Sequence, residues 1–64
     1  MKQKRIIIYP KDIQRITGKS ERYGRYMIQR IKRDLQKDDH HLVTVHEFAQ
    51  FTGIDLDLVR EFID

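Results

Sequence analysis

Gly18-Lys19-Ser20 is the short run in this 64-residue chain whose residue types point most directly at phosphate chemistry. Glycine, lysine and a hydroxyl in that order close a phosphate-cradling loop when a second glycine stands five residues earlier, so that bare backbone can wrap the phosphates. That earlier position is Ile13, and no glycine precedes Gly18. The segment before the run, PKDIQRIT, reads as a helix, whereas such a loop follows a buried strand. The run is better read as a glycine bend followed by a serine cap that opens a new helix.

The new helix, from Ser20 to about Lys37, carries the second set of chemically suggestive residues. Placed at 100° steps, Gly24, Met27, Ile28, Ile31 and Leu35 fall in one sector, which should face a core. Arg22, Arg25, Tyr26, Gln29, Lys32 and Arg33 fall in the opposite sector; four of these six are cationic and none is acidic. Glu21 and Asp34 lie off the stripe. A rod of this length spans ~25 Å and can lie along a nucleic-acid groove. Arg22, Arg25 and Gln29 stand near the helix start, where base edges are commonly reached, arginine suiting guanine and glutamine adenine. Tyr26 suits a phosphate or a thymine methyl. Lys32 and Arg33 suit the backbone, as do Lys19 in the turn and Lys11 and Arg15 on the preceding helix. Ser20 caps the helix and can also donate to a phosphate. Lys2, Lys4 and Arg5 could lie along DNA as a basic arm or equally belong to a disordered tail. The plainer reading of the same stripe is a solvated helix face, since lysine and arginine are good helix formers.

Other constellations are weaker. His40, His41 and His46 with Asp38 and Asp39 suggest metal ligands; adjacent histidines on a strand point to opposite faces, and although a loop could still gather them, polar histidines in a connecting loop need no metal, so no metal or other cofactor is expected. Ser20 is the only serine and there is no cysteine. With no nucleophile near a histidine and no enclosed carboxylate pair, an enzyme acting on a small-molecule substrate is not expected.

The elements that must position the basic stripe are written in two similar units. Offset by 35 residues, Ile8 meets Val43, Ile13 meets Phe48 and Thr17-Gly18 meets Thr52-Gly53; Arg25 meets Arg60, and Met27-Ile28 meets Phe62-Ile63. Each unit opens on a β-favouring run, Arg5–Tyr9 or Leu42–Val45, which could pair as a short two-stranded ribbon. A two-turn helix follows. Pro10 and Asp12 suit the start of the first, and Thr44-x-x-Glu47 is a capping box for the second. Both helices end at a glycine, and second helices start at the caps Ser20 and Asp55. The expected fold is mainly α: a small helix-turn-helix domain of about four helices, pseudo-repeated, in a single domain spanning 1–64. The core is expected from Ile6, Ile8, Ile13, Ile16, Met27, Ile28, Ile31, Leu35, Val43, Phe48, Phe51, Ile54, Leu58, Val59 and Phe62. Gly24, inside a helix, is read as a close helix crossing.

The segment TVHEFAQFTGIDLDLVREFI resembles the first two helices of excisionase-like and MerR-type DNA-binding domains, with Phe48, Ala49, Gly53, Ile54, Val59 and Phe62 at the core, close-approach and turn positions. The first unit resembles them less, since Gln14 replaces a small residue and Lys19 an apolar one. The resemblance implies a small DNA-binding regulator or a recombination accessory factor.

Charge decides which unit would meet DNA. Residues 1–37 carry twelve Lys/Arg against three acidic residues, a formal +9; residues 38–64 carry Arg60 against seven, a formal −6. An acidic helix is a poor guest between rails of phosphate, so the basic unit is the expected DNA reader. The partner expected is double-stranded DNA, with a homodimer or a protein partner as a further expectation. The rival reading is a protein-interaction module using the apolar, acidic C-terminal unit, with Leu56 and Ile63 as the exposed contacts. No apolar run approaches the ~20 residues of a membrane helix, and a cytoplasmic location is the default expectation.

Overall fold

The computed structural model describes residues 5–63. The protein is mainly α, with four helices among the described residues: α1 (Pro10–Thr17), α2 (Glu21–Asp34), α3 (Val45–Thr52) and α4 (Leu56–Arg60). α1 packs on α2, α3 on α4, and α2 touches α3, within an envelope of 33 × 24 × 20 Å.

The repeat is realised atom by atom in the first helix of each unit. α1 and α3 begin and end 35 residues apart, and each closes on a left-handed glycine, Gly18 at φ 77° and Gly53 at φ 79°. Each starts with a carboxylate that accepts the backbone N–H three residues earlier: Tyr9 donates to Asp12 at 2.8 Å and Thr44 to Glu47 at 3.0 Å. This satisfies an otherwise orphaned donor at the helix start. Each ends with a threonine hydroxyl that donates back to the preceding turn, Thr17 to Ile13 and Thr52 to Phe48.

The expected ribbon reduces to one antiparallel bridge, Ile7 with Thr44, flanked by Ile8 N–H donating to the Val43 carbonyl and Val45 N–H donating to that of Ile6. In this register Ile8 stands opposite Val43, its own repeat counterpart, which is what a two-fold relation between the units demands. Both are buried, with Ile13, Ile31, Val45, Phe48, Ala49, Val59 and Ile63 completing the core. Burying Phe48 alone is worth ~2–3 kcal/mol.

Four expected core residues lie outside it: Ile6, Leu35, Leu58 and Phe62 are exposed. Ile6 sits at the open end of the bridge, 62% exposed among the described residues. Leu35 leaves the core because α2 stops at Asp34, short of the expected Lys37. Lys37 N–H donates to the Lys32 carbonyl and Gln36 N–H to that of Arg33, a paired closure with Gln36 left-handed at φ 58°. That closure bends the chain away and turns Leu35 outward.

In the second unit the expected assignments are exchanged. Ile63 is fully buried and Leu56 half-buried against the core, while Leu58 and Phe62 take the exposed positions expected of that pair. The expected Asp55 cap is not made by its side chain; α4 instead begins on the Asp55 carbonyl, which accepts from Val59 N–H. The helix runs only five residues. Gly24 is a close crossing as expected: a Cβ there would lie 2.9 Å from the Pro10 Cα and collide with the Pro10 carbonyl oxygen.

Candidate nucleic-acid interface

α2 supplies the rod, and two local devices aim it. The Ser20 hydroxyl accepts from Tyr23 N–H at 3.1 Å, capping the helix start. Gly24 lets α2 press on the backbone of α1, while Ile31 is fully buried beneath it. With that flank committed, the opposite flank faces water. Arg22, Arg25, Tyr26, Gln29 and Arg33 are all exposed, and Lys32 is half-buried.

The stripe is largely free of internal clamps. Arg25 pairs with Glu21 at 3.3 Å, one turn away and with both side chains well exposed. Such a pair is worth only a few tenths of a kcal/mol, too little to hold Arg25 back from a polyanion. Lys32 is tied more firmly, its ammonium donating to the Asp39 carbonyl at 2.8 Å. Lys19 sits over the Tyr23 ring, 5.4 Å from its centre, so its charge stands at the mouth of the turn beside the helix start. Lys11 and Arg15 are exposed on α1.

The structure draws part of this set together on the flank of α2 that faces the ribbon. Arg25, Gln29 and Lys32 border a groove of about 220 Å³ whose other wall is the chain from Ile7 to Pro10 and from His41 to Val43. A second hollow of about 300 Å³ gathers Gln29, Lys32, Arg33 and Lys37 beside Asp39. Arg30 escaped the sequence reading because it lies at the stripe's edge. It is exposed, and its guanidinium donates to the Tyr26 hydroxyl at 3.3 Å, so the two side chains present one joined surface. A wider angular window on the helical wheel would have included it.

The basic arm is corrected. Arg5 forms a two-pronged pair with Asp12, at 2.7 and 2.9 Å, and stacks over the Tyr9 ring at 5.0 Å. Burial pushes the Asp12 carboxyl up, but the Arg5 hydrogen bonds, the Tyr9 N–H and the charges of Arg5 and Arg15 outweigh it and hold the carboxyl below its ordinary range. Arg5 therefore serves the start of α1, and Lys2 and Lys4 lie outside the described residues.

The histidine loop is gathered more closely than a strand would allow. Ligand atoms of Asp38, His40 and His41 all lie within 4.8 Å of one another, while His46 sits apart on α3. The His41 Nδ1 accepts from Asp38 N–H at 3.0 Å. Coordination at that nitrogen must first break this bond. Among the described residues no helix is long and apolar enough to cross a membrane. No protein-family model, curated protein or solved structure matches this chain.

Proposed function

We propose that the protein is a small, non-enzymatic DNA-binding factor that lays α2 against double-stranded DNA, as a regulator or recombination accessory protein. The observation that carries this reading is the exposed stripe of Arg22, Arg25, Tyr26, Gln29 and Arg33 along a helix whose other flank is packed. Arginines at the helix start are placed to fork onto guanine, and Gln29, one turn further, onto adenine. Lys19, Lys32 and Arg33 serve phosphates on either side, with Arg30 and Tyr26 as a joined contact. The −6 of residues 38–64 keeps the opposite unit away from the duplex and so orients the protein.

The test is duplex affinity measured against salt. A steep negative slope of log affinity on log salt is expected, and Lys19→Ala with Arg33→Ala should make it shallower by about 2. Arg22→Ala with Arg25→Ala should weaken a preferred site about a hundredfold while sparing non-specific binding. A slope near zero, unmoved by all four substitutions, would sink the reading. It would favour instead a protein-interaction role for the exposed Leu58 and Phe62 of the acidic unit.

A further inference from the structure

The groove between α2 and the ribbon is apolar within and basic at its rim. Ile7, Ile28 and Leu42 line it, with Arg25 and Lys32 at the edge. At the other end of the chain, Leu58 and Phe62 stand 52% and 40% exposed, one turn apart. Around them are the exposed acids Asp55, Asp57 and Glu61. One surface is an apolar hollow edged by cations and the other an apolar ridge edged by carboxylates. No described residue beyond Val43 lines the groove, so the Leu58–Phe62 ridge of the same chain does not fill it.

We infer that the occupant of this groove is a second copy of the chain, bound head to tail: the Leu58–Phe62 ridge of one copy seats in the α2–ribbon groove of the next. Charge fixes the pairing. Groove against groove would set Arg25 and Lys32 against themselves, and ridge against ridge would face Asp55, Asp57 and Glu61 with their own kind. Only groove against ridge joins opposite signs while covering both apolar surfaces. Such a contact uses different surfaces on the two copies, so it cannot close as a two-fold dimer and either extends copy by copy or closes as a larger ring. It shares Arg25 and Lys32 with the proposed DNA face but does not rest on that reading, and its test contains no DNA.

The test is sedimentation of the wild-type chain and of two surface variants, Arg25→Glu and Leu58→Ser with Phe62→Ser. Wild type should gain mass with concentration, past the dimer, and lose it as salt rises. Each variant should weaken association by about tenfold or more. An equimolar mixture of the two variants should give a discrete dimer, because the intact ridge of one meets the intact groove of the other and both outer surfaces are disabled. Restoration on mixing also shows that each variant is folded. A wild type that stays monomeric at millimolar concentration and low salt overturns the proposal and leaves the groove to another partner. A closed dimer indifferent to both variants, or a mixture that stays monomeric, overturns it equally.

Discussion

Residues 9–18 and 44–53 are near copies in backbone and hydrogen bonding, whereas the second helices of the two units are not. The first halves share a carboxylate-capped start, a back-bonded threonine and a left-handed glycine. The second halves differ in length, fourteen residues against five, and in charge. The shared half contains the features that backbone geometry dictates; the divergent half contains what each unit presents to water. Two similar first helices thus carry different second ones, a basic rod in one unit and an acidic, apolar stub in the other.

The sharpest way to break the comparison is at the second helices' contact with the first. Gly24 and Val59 are repeat counterparts, yet α2 meets α1 backbone to backbone while α4 is wedged by a fully buried side chain. Opposite changes should therefore both destabilise. Gly24→Ala puts a methyl group into the Pro10 carbonyl and is expected to cost about 3 kcal/mol, despite alanine's better helix propensity. Val59→Ala leaves a cavity and should cost about 2 kcal/mol. Urea unfolding of both variants checks this; a neutral Gly24→Ala would mean that α2 can lift off α1 freely.

Much of this was legible because it is local. The glycine ends, the Thr44–Glu47 box, the Ser20 cap and the Gly24 crossing each depend on residues within a few positions or on one missing side chain. The exposed flank of α2 is set by fourteen residues of consistent periodicity. The five residues of α4 offer too little periodicity to fix its rotation, so Leu58 and Phe62 exchanged places with Leu56 and Ile63. Leu35 was misplaced because nothing in the residue type of Gln36 announces a left-handed turn. The Arg5–Asp12 pair was hidden for a different reason: it joins residues seven apart across the ribbon-to-helix corner. Only folded geometry decides whether an N-terminal arginine turns inward or trails.

That pair also separates the two capping carboxylates. Asp12 is almost fully buried and held by Arg5, while Glu47 is more open and pairs with Lys37 at 3.1 Å. Asp12→Ala should cost about 2 kcal/mol, since it removes a two-pronged ion pair and leaves the Tyr9 N–H without its acceptor. Glu47→Ala should cost about 1 kcal/mol, the usual value of a cap. For both, burial raises the pKa, but hydrogen bonds and the cationic partner prevail, and both are lowered. A carboxyl whose pKa is lower folded than unfolded stabilises above its unfolded value, near ~4, and loses that contribution as pH falls through the folded one. Wild type should therefore weaken on acidification below about pH 4, and Asp12→Ala and Glu47→Ala should each flatten that decline. A decline that neither variant changes would show that the two capping carboxylates do not carry the acid sensitivity.

The smallest effects concern the three left-handed helix ends. Gly18 and Gly53 have open space where a Cβ would go, so alanine there meets only the backbone cost of positive φ, about 1 kcal/mol at each. Gln36 adopts the same conformation with a side chain, the only described non-glycine residue that does. It closes α2 through a pair of bonds, where Gly18 and Gly53 each make a single bond four residues back, and it stores the strain that the two glycines avoid. Gln36→Gly removes that strain and partly offsets the gain by loosening the unfolded chain, so a net stabilisation of about 0.5 kcal/mol is expected. Thermal unfolding of the three single variants should then show Gly18→Ala and Gly53→Ala falling together and Gln36→Gly rising. If Gln36→Gly falls instead, the glutamine side chain is itself holding the end of α2, and the basic rod owes its length to that contact rather than to the backbone closure beneath it.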